Sequence, residues 1–372
     1  MKLTIERGAL LTALGHVQSV VERRNTIPIL ANVQLAAENG ALSLTATDLD
    51  LAVVAKVEAK VDKSGATTTP AHVLYDIVRK LPEGAEVEFR LGSGDGRLTV
   101  QAGRSEFTLP CLPREDFPVI AEGDLPVQFV IGAAELRRLI DKTRFAISSE
   151  ETRYYLNGIY LHAAERNGVA MLRAVATDGH RLARIDTPLP DGAKDMPGVI
   201  VPRKAVGELR KLLDETDDSV AVALSDTKIR FAFNATVLTT KLIDGTFPDY
   251  SRVIPEGNEK VLEADNKALA EAVDRVSTIS TEKSRAVKLA VAKGKLVLSA
   301  TSPDSGSASE ELAADYRGEP LEIGFNSRYL LDVASQIEGE TTRFAMSDAV
   351  SPTLVEDSGD QAALFVLMPM RV

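Results

Sequence analysis

Leu172-Arg-Ala-Val-Ala-Thr-Asp-Gly-His-Arg-Leu-Ala183 has two counterparts in the chain, Leu42-Ser-Leu-Thr-Ala-Thr-Asp48 and Leu296-Val-Leu-Ser-Ala-Thr-Ser302. They begin 130 residues before it and 124 residues after it. In each copy small or apolar residues take alternate positions (42, 44, 46; 172, 174, 176; 296, 298, 300), the period of a half-buried strand. A polar break follows: Thr47-Asp48, Thr177-Asp178, or Thr301-Ser302-Pro303-Asp304. Asp and Pro there favour a turn through local hydrogen bonds and a fixed φ. Strand, turn and returning strand recur at near-constant spacing, so the chain is a tandem repeat.

Working outward, each repeat reads as one strand, a helix, about three strands, a second helix and about three strands. Repeat one opens with Leu3–Ile5, followed by Leu10, Leu11, Leu14, Val17 and Val21 on one helical face. The loop Arg23-Arg24-Asn25 and then Pro28 end that pattern. Strands are expected at 29–35, 42–46, 51–57, 85–91, 97–102 and 105–109, with a second helix from Pro70 to Leu81. Repeat two restarts at Val127, with Leu136, Leu139, Ile140 and Phe145 on its first helix and a second helix after Pro202. Repeat three has helices around Leu269–Ile279 and Tyr329–Ile337. The second helices therefore start at the aligned positions Pro70, Pro202 and Asn326. Two helices against antiparallel strands in each of three similar domains make the fold α+β. Pro-, Asp- and Gly-rich stretches near 118–127 and 249–260 place the domains at 1–122, 127–255 and 256–372.

Composition bounds the function. The 372 residues are 44% hydrophobic and 26% charged, ordinary for a soluble globular protein. No apolar run approaches the ~20 residues of a membrane span, and the start, Met1-Lys-Leu-Thr-Ile-Glu6, has no apolar signal core. A single cysteine, Cys111, fits a reducing cytoplasm and excludes an internal disulfide. The formal net charge of −11 argues at first against a nucleic-acid partner. The distribution reverses that inference. The six helical stretches together carry +6, leaving −17 for the rest of the chain. Arg137, Arg138, Lys142, Arg144, Arg203, Lys204, Arg210 and Lys211 contribute most, either as ordinary solvated faces or as a surface for backbone phosphate.

Catalytic motifs are missing. There is no GxxxxGK[ST], GxGxxG after a strand, HExxH or GxSxG, and the four histidines show no metal-ligand spacing with Cys111. No cofactor or metal is implied. Asp178 and His180 are the nearest approach to an acid–base pair, but no nucleophile or oxyanion site accompanies them. His180 is either part of a binding groove or a plain loop residue. Repeats one and three carry Asp50 and Asp304 in its place.

The chain resembles the bacterial sliding-clamp family, the β subunits of DNA polymerase III. The resemblance rests on Thr26-Ile-Pro-Ile-Leu30, Thr45-Ala-Thr-Asp48, Arg153-Tyr-Tyr-Leu-Asn-Gly158, Ala176-Thr-Asp-Gly-His-Arg-Leu-Ala183, Val199-Ile-Val-Pro-Arg-Lys204, Phe247-Pro-Asp-Tyr250 and Met368-Pro-Met-Arg371. It runs the full length in order. It implies the DNA-clamp fold: three similar domains per chain, paired head to tail in a homodimeric ring, with helices lining the hole. The implied function is a DNA polymerase processivity factor that encircles duplex DNA without reading its sequence, and is not an enzyme.

The resemblance also implies sites. Arg24, Arg153, Tyr154 and Tyr155 match DNA-contacting loop positions, to which the helix charge count adds Arg203 and Lys204. The alternative for Tyr154 and Tyr155 is a start-of-strand pair with one ring buried. Phe107 and Leu109 would pack near Ile279 of the other copy. A groove between domains two and three would take a short partner peptide. Leu156, Thr177, Gly179, His180, Arg181 and Leu182 would line one side, and Pro248, Arg252 and Val253 another. The C-terminal Val366, Leu367, Met368, Pro369, Met370 and Arg371 would complete it. Implied partners are the DNA polymerase III α subunit, the clamp loader, and repair polymerases, ligase and mismatch-repair proteins carrying a clamp-binding motif, with no membrane. Two rival readings stay open: an acidic repeat scaffold that binds only proteins, and a hydrolase using Asp178 and His180.

Overall fold

A computed structural model describes residues 1–24, 26–92, 96–121, 123–280 and 285–371. Asn25 of the first loop, the domain ends at residues 122 and 372, and the charges of Glu282 and Lys283 lie outside the described residues. These residues form six α-helices and antiparallel strands throughout: α1 Arg7–Gln18, α2 Ala71–Lys80, α3 Ala133–Asp141, α4 Arg203–Leu213, α5 Asn266–Ser277 and α6 Ser327–Ala334.

The repeat is visible in the caps. The Glu6 side chain accepts the Ala9 amide at 2.8 Å to open α1, and Asp265 accepts that of Ala268 at 2.8 Å to open α5. Each is the acidic residue where the first strand of its repeat meets the helix, where a carboxylate satisfies orphan amides and favours the helix dipole. Pro70 and Asn326 stand at the N-caps of α2 and α6, and α4 starts directly after Pro202.

The chain divides into two compact units. The first comprises Met1–Ala134, Pro190–Met196 and Lys204–Leu242. It holds a five-stranded sheet in the order Lys60–Lys63, Lys2–Glu6, Glu86–Leu91, Arg97–Ala102, Ser105–Pro110. Its eight-stranded sheet runs Val127–Gly132, Ser219–Leu224, Lys228–Phe233, Thr236–Lys241, Leu51–Glu58, Ala41–Thr47, Asn32–Glu38, Gly65–Pro70. Here Val237 pairs with Val54 and Leu238 with Val53, joining repeats one and two in one sheet.

The second unit comprises Glu135–Leu189, Pro197–Arg203 and Ile243–Val372. Its nine-stranded sheet runs Val199–Pro202, Gly158–Arg166, Val169–Thr177, Arg181–Pro188, Asp360–Leu367, Thr353–Asp357, Thr341–Met346, Lys260–Asp265, Asp315–Tyr316. Gly306–Ala313, Lys295–Ser302, Ala286–Ala292 and Leu321–Asn326 form a four-stranded sheet. Leu182 pairs with Val366, so the last long strand of repeat three continues the sheet of repeat two.

Three expectations need correcting. Phe145 lies beyond α3, in the 3-10 turn Arg144–Ala146. Thr143 ends the helix by bonding its hydroxyl back to the Leu139 carbonyl at 2.6 Å. Lys142 is not part of an exposed basic face. It is 4% exposed, and its ammonium reaches the Gln336 carbonyl and lies 2.7 Å from Glu338. Strands Lys60–Lys63 and Gly65–Pro70 were not expected, because their polar residues show little alternation.

Gly158 marks a close backbone approach. A Cβ there would press into the Val201 carbonyl of the paired strand. Gly158→Ala is therefore expected to cost about 2 kcal/mol, the scale of a small overpacking defect, read as a lower urea midpoint. An unchanged midpoint would refute this.

Candidate docking groove and nucleic-acid contacts

The site begins with the repeated turn. In repeat two Thr177 Oγ1 donates to the Arg181 carbonyl at 2.7 Å and accepts the Gly179 amide at 3.1 Å. Asp178 Oδ1 accepts the amides of His180 and Arg181 at 2.9 and 3.1 Å. Gly179 has φ +88°, which explains a glycine there. Repeat one builds the same turn: Thr47 donates to the Leu51 carbonyl at 2.9 Å, and Asp48 accepts the amides of Asp50 and Leu51 at 3.0 and 2.8 Å. Leu49, at φ +84°, bears the strain that Gly179 avoids.

The turn uses the Asp178 carboxylate. Its Oδ2 takes Arg181 Nε at 3.1 Å, and among the described residues no hydrogen bond joins it to the His180 ring. That ring is exposed and stacks on Tyr329 at 6.4 Å. The arrangement is a turn, not an acid–base pair.

Behind the turn lies an apolar floor. Leu156, Val175, Leu182, Ile200, Phe247, Leu364 and Val366 form one buried cluster, with Tyr155, Tyr250, Ile254 and Leu354 packed against it. Of the expected groove residues, the structure brings Leu156, Leu182 and Val366 together here. Pro248, Arg252 and Val253 are exposed beside it, with Arg252 held to Asp249 at 2.9 Å. Met368 donates its amide to the His180 carbonyl at 2.9 Å, and Met370 donates to Gly324 at 2.8 Å. These bonds hold the C-terminal residues against the sheet, so Met368 and the half-buried Pro369 and Met370 are presented in fixed positions; Arg371 is exposed. Val175, Ile200 and Phe247 were missed in the sequence: Val175 falls between the alternating positions 174 and 176, and Phe247 lies outside any strand.

Arg181 and Leu367 differ from expectation. They pair with each other in the register that pairs Leu182 with Val366. Strand side chains alternate between faces, so when Leu182 and Val366 enter the floor, Arg181 and Leu367 point to the opposite side. There Arg181 is 8% exposed. It is paired with Asp178 and Asp332, donates to the Phe145 carbonyl at 2.6 Å, and lies 4.3 Å from the Tyr329 ring centroid. It is a buried tie between repeats two and three rather than a rim donor.

The basic candidates are spread over both units. Arg153, Tyr154 and Tyr155 share the 3-10 turn Glu151–Leu156 in the second. Tyr154 is 53% exposed, whereas Tyr155 leans on the apolar floor. Arg153 is 3.3 Å from Glu150. Arg203 is exposed, and its amide donates to the Asn157 carbonyl at 2.9 Å. It lines a cleft of about 570 Å³ with Arg144, Arg285 and Arg328. Repeat three thus offers arginines from a loop and a helix start, which a count of net helix charge hides. In the first unit Arg24 is exposed, while Lys204 is 2.5 Å from Asp48 and 3.1 Å from Glu22. Burial pulls the Lys204 ammonium towards neutrality, but these two carboxylates outweigh it and hold its pKa above the usual lysine value.

Each of the four sheets ends in two edge strands, among them Ser105–Pro110 in the first unit and Gly306–Ala313 in the second. Phe107 is half-buried and Leu109 buried on Ser105–Pro110, and Ile279 is half-buried just after α5. No helix among the described residues is long and apolar enough to cross a membrane.

Fold and site define a three-repeat scaffold in which an apolar cluster of repeats two and three lies behind the Thr177–Arg181 turn. The N-terminal, central and C-terminal domain models of the DNA polymerase III beta subunit match residues 1–121, 130–249 and 251–371. The chain is 57% identical over 372 residues to the beta sliding clamp of Caulobacter vibrioides, and 41% over 375 residues to that of Escherichia coli K12, covering 100% of each partner. A crystal structure of the Bartonella birtlesii sliding clamp bound to griselimycin matches with a TM-score of 0.97 at 52% identity, covering 100% of both chains. A Caulobacter crescentus clamp structure matches with a TM-score of 0.98 at 57% identity, covering 100% of this chain and 99% of that one. The chain belongs to the DNA polymerase III beta-subunit family, the bacterial sliding clamps.

Proposed function

We propose that two copies of this chain pair head to tail into a ring around duplex DNA and act there as a non-catalytic processivity factor in the cytoplasm. Membership of the family over the full length is the observation that carries this reading. The open edges support the pairing, since a long unpaired strand edge is a liability unless a second chain covers it. Retention is topological: weak, salt-screened phosphate contacts permit sliding, and closure prevents escape. Arg24, Arg153, Tyr154, Tyr155, Arg203 and Lys204 supply contacts without base reading, Lys204 weakest because its carboxylates compete. The domains run over 1–122, 127–255 and 256–372.

The groove of Leu156, Thr177, Gly179, His180, Leu182, Pro248, Arg252, Val253, Val366 and Met368–Arg371 docks the DNA polymerase III α subunit, the clamp loader and other motif-bearing partners. Apolar anchors fill the floor, while Met and Gly adapt around them. Arg181 and Leu367 support this groove from behind.

Two measurements test the reading. Loaded onto circular DNA by a clamp loader, the protein is expected to stay bound until the circle is cut. Loss from intact circles would leave the protein-only scaffold as the reading. Truncation after Leu367 keeps the last strand whole but removes the held tail. It is expected to weaken α-subunit binding at least tenfold, about 1.4 kcal/mol, with the dimer unchanged. Equal affinity would remove the tail from the groove.

A further inference from the structure

A polar network lies behind the turn that carries the groove wall. Tyr250 opens the 3-10 turn Tyr250–Val253, in which Arg252 and Val253 sit. Its hydroxyl is 3.0 Å from His162 Nε2 and 3.2 Å from Arg173 Nη1. His162 Nδ1 is 2.8 Å from the Ala163 carbonyl oxygen. A carbonyl only accepts, so Nδ1 carries the proton and Nε2 of the neutral ring is an acceptor. Arg173 only donates. The Tyr250 hydroxyl therefore donates to His162 and accepts from Arg173. Asp186, its side chain 0% exposed, grips Arg173 at 2.6 and 2.9 Å and fixes that end. At the other end the His162 ring stacks on Tyr160 at 4.6 Å, and Tyr160 on Phe247 of the apolar floor at 4.8 Å.

We propose that His162 is a positioning residue for the docking groove: as a neutral acceptor it locks the Tyr250 hydroxyl and the turn bearing Arg252 and Val253, and protonation of its ring releases that wall and weakens partner docking. The inference rests on the groove reading above. A protonated Nε2 sets a second donor against the Tyr250 hydroxyl, which must then turn its own hydrogen away from both. It also adds a positive charge beside Arg173. The groups facing the ring are Arg173, Asp186, Tyr160 and Tyr250, with Arg184 adjoining Arg173 and Asp186. Burial first, and then Arg173, hold His162 below the usual histidine range, against the opposing pull of the Ala163 carbonyl and Asp186. The ring is thus neutral at pH 7.5, and the lock opens only on the acid side.

The test is the affinity of the full-length protein for immobilised DNA polymerase III α subunit from the same organism, at pH 7.5 and 5.5. Wild type is expected to lose affinity over that range, up to about tenfold where the ring is fully protonated, the scale of one lost buried hydrogen bond. His162→Gln keeps an acceptor oxygen and does not titrate. It should bind like wild type at pH 7.5 and lose markedly less at pH 5.5. Tyr250→Phe, which has no hydroxyl to lock, should bind more weakly at pH 7.5 and show the same flattened profile. A His162→Gln or Tyr250→Phe variant with the full acid loss of wild type would overturn the proposal. No acid loss in wild type would overturn it too. Failure of wild type to bind the α subunit even at pH 7.5 would instead bring down the groove reading itself.

Discussion

Arg181→Ala is expected to destabilise the second unit by about 3 kcal/mol, the lower end of what breaking a buried ion pair costs. The guanidinium side chain is 9% exposed and its partners Asp178 and Asp332 are 16% and 31% exposed. Removing it takes the guanidinium from Asp178, which keeps the His180 and Arg181 amides, and from Asp332 and the Phe145 carbonyl, and empties the space beside the Tyr329 and Phe145 rings. The partial exposure of Asp332 keeps the cost below the upper end of the range. Arg181→Lys should recover only part of it, because a single ammonium cannot reach Asp178, Asp332 and the Phe145 carbonyl at once. Arg252→Ala is the contrast. That side chain is 83% exposed, and its pair with Asp249 is a surface one, so a change within about 0.5 kcal/mol is expected. Urea unfolding of the three variants decides the matter. If Arg181→Ala and Arg252→Ala shift the midpoint equally, Arg181 is no tie between repeats two and three.

The same residue shows how far the sequence could be read. The strand–turn–strand repeat, the Thr-Asp turns and the helix starts at Pro70, Pro202 and Asn326 were legible because each has a local cause: alternation, side-chain-to-backbone bonding and fixed φ. The split of Arg181 from Leu182 was also legible in principle, since adjacent strand residues face opposite ways. Other features had no local signal. Nothing near Leu51–Glu58 announces Thr236–Lys241 as its partner, so the sheets that cross repeat boundaries emerge only from the three-dimensional pairing. The basic helices were counted correctly by charge, but counting could not show that Lys142 is buried against Glu338 or that Lys204 is held by Asp48. The Tyr329 ring beside His180 lies 149 residues away in the chain, beyond any spacing argument.

Phe107→Asp is expected to convert the dimer to a monomer of the 40.0 kDa chain mass at micromolar concentration. Phe107 and Leu109 sit opposite Val100 and Leu98 in the edge strand Ser105–Pro110, on the face that the sheet buries. Leu109 is 6% exposed, whereas Phe107 is only half-buried in this edge strand. In the proposed pairing the complementary edge is Gly306–Ala313, where Ala308, Glu310 and Leu312 are likewise half-covered. Pairing these edges between two copies would place Phe107 near the partner subunit's Ile279, and the two-fold symmetry of a closed ring repeats the contact. Losing a packed phenylalanine costs about 3–5 kcal/mol, and a carboxylate in its place adds desolvation. Each interface should therefore weaken by a factor of about 10²–10³ or more, and the ring has two. Ile279→Asp should act in the same direction from the other side. Glu106→Gln, on the exposed face of the same strand, should leave the dimer intact. Light scattering over a dilution series reads all three. The functional consequence follows from topology, since a monomer with intact phosphate contacts and an intact groove should still bind the α subunit yet slip from circular DNA. A Phe107→Asp protein that stays dimeric and stays on the circle would place the interface elsewhere.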